Sequence, residues 1–117
     1  MTRTSANGDM KIGQGGSASS SSSAITTTAV DTALWGKLTL LMTGSAGSIV
    51  VTCQSSDDGS NYASDTAIVG DTTVDFTSAT HGQVAYVGEK RYVKFILTPT
   101  SATFSYANVL SEKRMAV

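Results

Sequence analysis

An apolar period of two, starting near residue 37 and recurring almost to the end of the chain, limits the fold more than any other feature. Leu38, Leu40 and Met42 alternate with Lys37, Thr39 and Thr43, with Leu41 the one exception. Ile49, Val51 and Cys53 share a face opposite Val50, Thr52 and Gln54. Val93, Phe95 and Leu97 oppose Tyr92 and Lys94, and Phe104, Tyr106 and Leu110 form a last set. Successive side chains of an extended strand point to opposite faces, so this pattern builds strands with one buried side. No window after residue 24 carries the 3.6-residue period of an amphipathic helix. Residues 111–115 could form one helical turn at most.

Turn signals divide the pattern. Residues 44–48 (GSAGS) lie between the first two alternating runs and read as the loop of a β-hairpin. Residues 57–61 (DDGSN) read as a turn, with aspartate accepting backbone hydrogen bonds and glycine supplying a positive φ. Further strands are expected over residues 66–69, 72–76, 83–87, 91–98 and 103–110, with turns at His81-Gly82 and Gly88-Glu89. The one proline, Pro99, is expected to end its strand, because it has no N–H to donate. The expectation is all-β: an antiparallel β-sandwich or jelly roll of about seven to eight strands spaced roughly 8–12 residues apart.

Residues 1–23 are different. Their large apolar side chains are Met1, Met10 and Ile12, and residues 13–23 read GQGGSASSSSS. Such a segment has little to offset the entropy of ordering alone. It is either a flexible linker or an extended arm ordered against a neighbour. The second reading is adopted, dividing the chain into an arm (1–23) and a β-sandwich domain (24–117). The domain is small, so its core is thin.

Charge is sparse: 15% of residues, with eight basic and nine acidic side chains and a net charge of −1. That balance argues against a nucleic-acid surface or a polybasic membrane patch. No apolar run approaches the ~20 residues of a membrane span, and no charged-then-apolar leader opens the chain. Synthesis in a cytoplasm is expected. A single cysteine, Cys53, rules out an intrachain disulfide.

Chemistry-bearing constellations are few. His81 is the only histidine and stands beside a turn glycine. Cys53 falls on the inward face of its strand, where a thiol acts as a small apolar group. Asp57, Asp58 and Asn61 could offer calcium ligands, yet the alternating ligands and closing Glu of an EF-hand are missing. Gly13-Gln14-Gly15-Gly16 follows no strand and precedes no helix, so it is no dinucleotide fingerprint. No catalytic set, metal site or cofactor is expected. Lys90-Arg91-Tyr92, beside a tight turn, is either a solvated strand start or a contact patch, since Arg and Tyr favour interfaces. Trp35 is more a core residue than an interface one. With Arg3, Lys11 and Ile12 of the arm, Lys90, Arg91 and Tyr92 are the candidate partner contacts.

Two segments carry a resemblance. Residues 54–62 (QSSDDGSNY) form a strand followed by a D-D-G-S-x-aromatic turn, and residues 86–95 (YVGEKRYVKF) form a Y-x-G-x-K-R-Y-V-K-hydrophobic run. In this order they resemble small structural proteins of tailed bacteriophages, among them capsid decoration or cement proteins with β-sandwich or jelly-roll folds. The resemblance covers about residues 34–110 and leaves out the Ser-rich arm. It implies a non-enzymatic protein on the outer capsid surface, bound to the major capsid protein and to copies of itself as a dimer or trimer, with neither nucleic acid nor membrane as a partner. A head-fibre, connector or tail component is the alternative within the virion. A small carbohydrate-binding sandwich is the alternative outside it.

Overall fold

A computed structural model describes the backbone of residues 10–113 and the side chains of residues 15–112. Over that range the chain forms nine strands: β1 (Met10–Ser21), β2 (Ile25–Thr26), β3 (Val30–Asp31), β4 (Trp35–Ser56), β5 (Ala63–Asp65), β6 (Ile68–Gly70), β7 (Thr73–Asp75), β8 (His81–Tyr86) and β9 (Tyr92–Lys113). Every pairing is antiparallel.

Two 22-residue strands, β4 and β9, organise the molecule. They pair along their whole length, from Trp35 opposite Lys113 to Ser56 opposite Tyr92. Both bend near the middle, which divides the sheet into two layers. In the first, the order is β1, the later half of β9, the earlier half of β4, β8 and β6. In the second, β2 and β3 flank the earlier half of β9, and β5 and β7 flank the later half of β4. The fold is thus an all-β antiparallel sandwich whose layers share two strands.

Paired β-bulges build the bend. Gly44 faces Phe104 and Ala46 faces Thr103, so β4 carries one extra residue there. Ser48 then faces Thr100, so β9 carries one extra residue in turn. The two bulges cancel, and pairing resumes in its former register. Each bulge advances its own strand by one residue, which would otherwise flip every side chain beyond it. The core side of β4 accordingly passes from Leu38, Leu40 and Met42 to Ile49, Val51 and Cys53. In β9 it passes from Val93, Phe95 and Leu97 to Ala102, Phe104 and Leu110. These side chains and Val74, Phe76, Val84 and Tyr86 make one core between the layers.

Gly47 is required at this bend. Its φ is +75°, and a Cβ there would lie 2.4 Å from the Ser101 carbonyl oxygen and 2.5 Å from Ala102 Cα. Ser101 opposite also holds a positive φ of 46°.

Four expectations are corrected. Residues 44–48 do not close a hairpin: β4 runs through them, because the glycines serve a bend within one strand. Pro99 does not end its strand either, and pairs with Ile49. Its lack of an N–H is tolerated because the edge beside it is interrupted: β2 pairs no further along β9 than Leu97, and β1 begins at Ala102. The region after residue 110 continues as β9 through Lys113 rather than turning into helix; residues 114 and 115 lie outside the described residues. His81 starts β8 rather than a turn; the turn falls on residues 76–78, and β7 and β8 on either side of it run in the same direction along β4.

The Ser/Gly-rich segment is, over Met10–Ser21, an edge strand paired to β9 of its own chain. Beyond it the chain follows the same edge through β2 and β3. At Thr27 a side chain substitutes for the ladder: Thr27 Oγ1 accepts the Phe95 N–H at 3.0 Å while the Thr27 N–H donates to the Phe95 carbonyl at 2.9 Å.

Candidate interaction surface

The Lys90-Arg91-Tyr92 segment enters β9 at one end of the sandwich, beside β3 and the 57–61 turn. Arg91 grips Asp31 with two hydrogen bonds, Nε to Oδ1 and Nη2 to Oδ2, both 2.8 Å. The fork geometry of guanidinium and carboxylate makes such pairs directional. Arg91 also lies over the Tyr92 ring, 4.9 Å from its centroid. Lys90 Nζ reaches Asp57 Oδ2 at 2.8 Å, and Lys94 Nζ sits 4.0 Å above the Tyr62 ring.

The electrostatics follow from these partners. The Arg91 hydrogen bond holds the Asp31 carboxyl below its usual range, and Asp31 in turn raises the Arg91 guanidinium. Asp57 raises the Lys90 ammonium. All four groups are exposed, so water screens these pairs and they add little to stability. What they do is hold long side chains in place. The resulting patch is locally neutralised and pre-ordered, presenting a planar guanidinium on a tyrosine face.

The acidic turn is closed on itself. Asp58 Oδ1 accepts from the Ser60 N–H (2.8 Å), the Asn61 N–H (2.9 Å) and Ser56 Oγ (2.8 Å), and Oδ2 accepts from Asn61 Nδ2 (2.9 Å). The Asn61 and Ser60 N–H groups, first among these, hold the Asp58 carboxyl far below its usual range. Its lone pairs are occupied by its own loop, and Asp57 is turned to Lys90. Among the described residues no three His, Cys, Asp or Glu side chains gather as metal ligands.

Next to the patch, Trp35 is half-buried against the core, and Leu34 and Val87 stand exposed. A cleft of about 170 Å³ runs between Thr32, Trp35, Lys37, Tyr86, Glu89 and Arg91. It is smaller than the roughly 300–1,000 Å³ of small-molecule sites. A larger hollow of about 540 Å³ is an open trough over the bend, lined mainly by Ser and Thr hydroxyls.

Sequence reasoning missed the polar tie between the layers. Asp65 Oδ2 accepts from Ser55 Oγ (2.7 Å) and from Tyr86 OH (2.9 Å), while Asp65 Oδ1 accepts from the Ala67 N–H (2.8 Å). Tyr86 OH itself accepts the Lys90 N–H at 3.1 Å. The Ser55 hydrogen bond, foremost, holds the Asp65 carboxyl low, and burial raises the Tyr86 hydroxyl. Cys53 donates to the Asp65 carbonyl at 3.2 Å. Burial, and then the Asp65 charge, push its thiol up to about 11. The tie fixes the loop that carries Lys90, so it positions the patch from beneath. Its only sequence signal is the placement of Asp65, Ser55 and Tyr86 on separate strands, which spacing does not reveal.

Of the expected contacts, Lys90, Arg91 and Tyr92 thus form one cluster. Lys11 and Ile12 lie in β1, on the same side of β9 as β3 but paired near its other terminus, facing Leu110 and Val109; their side chains, and Arg3 altogether, are outside the described residues. His81 is exposed, its Nδ1 3.4 Å from Thr80 Oγ1. No family model, no curated protein and no solved structure matches the chain, so the fold and this surface are what characterise it.

Proposed function

We propose that the chain is a virion structural protein, a decoration or cement protein that binds the major capsid protein on the outside of a tailed-phage head and stabilises it without chemistry. The observation that carries this reading is the Arg91–Tyr92–Asp31 cluster. The segment on which the resemblance rests is a pre-ordered patch of interface-type side chains. Arg and Tyr held in place lose little entropy on binding and are common anchors of protein interfaces. Repeated modest contacts suffice for such a role, because copies bound side by side gain avidity without a deep pocket. A non-enzymatic reading is further supported by the groups that could react. Asp65, Ser55 and Tyr86 bond to one another, and the Cys53 thiol is held protonated in the core.

The test adds purified protein to capsids that lack it. Saturable binding at a fixed number of copies per particle, with raised resistance of the particle to heat, is the expected result. Arg91→Ala should weaken that binding by roughly tenfold or more. Absence of saturable binding overturns the reading. A stoichiometry of about a dozen or fewer copies per particle moves the protein to a connector or tail position.

A further inference from the structure

β1 is held to the molecule in an unusual way. Among the described residues its one partner strand is β9, over Ala102–Ser111, and its other edge is unpaired. From Gly15 to Ser21 its side chains are glycine, serine and one alanine, and only Ala18 packs against the core. Over Gly15–Ser21, backbone hydrogen bonds therefore supply most of the attachment. A ladder of that kind reads almost no sequence, so the β1 of any copy satisfies the β9 edge equally well.

The connection to β2 is where a closed chain meets cost. Ser20 has a φ of +49°, a left-handed conformation that a side chain disfavours. It is held there by its N–H bonded to Thr103 Oγ1 at 3.0 Å, while Ser22 Oγ accepts the Ser101 N–H at 2.9 Å. Residues 22–24 then form a short link to Ile25. If β1 swings away, Ser20 returns to extended backbone and the strain is released. A strained short link next to a strand with interchangeable partners is the arrangement that favours strand exchange between copies.

We propose that β1 is an exchangeable strand: in an assembly of this chain, Met10–Ser21 of one copy lies on the Ala102–Ser111 edge of a second copy, with residues 20–24 as the hinge. The exchanged form keeps every ladder contact of the closed form, relaxes the hinge and links chains non-covalently. It does not depend on the capsid reading, and a chain of any structural role could use it.

Ser17 and Ser105 face each other across the β1–β9 ladder and are both exposed. The experiment uses two full-length populations, one carrying Ser17→Cys and the other Ser105→Cys, unfolded, mixed, refolded together and oxidised. Cys53 is buried in both. In closed monomers the two new thiols sit in different molecules and do not meet. The expected result is a disulfide joining a Ser17→Cys chain to a Ser105→Cys chain, rising severalfold with the protein concentration during refolding. Edge-to-edge pairing of intact monomers through β1 would instead join Ser17→Cys chains to each other, and that outcome overturns the proposal. So does the absence of any mixed disulfide at the highest soluble concentration. A second arm needs no new thiol. Ser20→Gly, which tolerates the positive φ, should shift the refolded protein towards monomer on size exclusion, and Ser20→Val, which does not, towards the linked form. Identical elution of both variants and the parent would also overturn it.

Discussion

At the scale of single residues, the buried Asn108 and the half-buried Asp65 have opposite consequences. Asn108 is fully buried on the core side of β9, opposite Leu40, and among the described residues neither its Nδ2 nor its Oδ1 has a hydrogen-bond partner. A buried amide without partners costs the desolvation of its polar atoms. Asn108→Leu, close in size, should therefore raise stability by about 1–3 kcal/mol, seen as a higher urea midpoint at unchanged slope. A lower midpoint would show that the amide has a role the packing conceals. Asp65 is the reverse case, because its carboxylate satisfies two buried hydroxyls. Asp65→Asn should cost about 1–2 kcal/mol at pH 7. The sign with pH follows from the lowered carboxyl. A group depressed in the folded state stabilises above its unfolded value, near 4, and loses that contribution as pH falls through the folded value. The gap between parent and variant should be full at neutral pH and close below pH about 4, by urea unfolding at both extremes. A gap independent of pH would contradict it. Neither residue announces itself in the sequence, where Asn108 is one polar letter inside a strand and Asp65 one of several scattered aspartates.

At the scale of elements, the alternating apolar letters were legible and the connections between them were not. Leu38–Leu40–Met42 and Ile49–Val51–Cys53 line the core as their period requires. Whether residues 44–48 reverse the chain or only bend it depends on what lies opposite, and glycine is needed in both cases. Pro99 was misleading for a related reason: the rule against proline in a ladder concerns the neighbour on its N–H side, and here that edge is interrupted. The Lys90-Arg91-Tyr92 cluster was legible as residue types in a row, but its partners Asp31 and Asp57 are distant in sequence. The bend also ranks two glycines. Gly47 and Gly59 both have positive φ, but a Cβ at Gly59 meets only the Tyr92 ring at 3.4 Å, an ordinary contact, whereas at Gly47 it strikes backbone. Gly59→Ala should cost about 1 kcal/mol, from backbone conformation alone. Gly47→Ala should cost clearly more, since main chain has to move. Comparison of the two thermal midpoints checks the order, and equal shifts would refute the account of the bend.

At the scale of the whole molecule, the layers are not separable units. Each takes half of β4 and half of β9, and the core is continuous between them. Neither layer can lose its pairing without exposing the inner face of the other. Unfolding is therefore expected to be a single cooperative transition. Trp35 fluorescence, which reports one end of the sandwich, and far-ultraviolet circular dichroism, which reports all strands, should give coincident denaturation curves. Separate midpoints would mean that the layers unfold independently.

The cancelling bulges at the middle of β4 and β9 have a further consequence, for how the chain can go wrong. Remove one residue from each, Ser45 and Ser101, and both strands become regular while their registers still agree. The apolar side chains of both halves would then line a single side of one straight, 21-residue ribbon, with nothing to fold that side inward. Such a ribbon, oily on one face and open along its edges, is a template for stacking other chains. Two small serines in a bend thereby separate a self-contained particle from a fibre-forming ribbon.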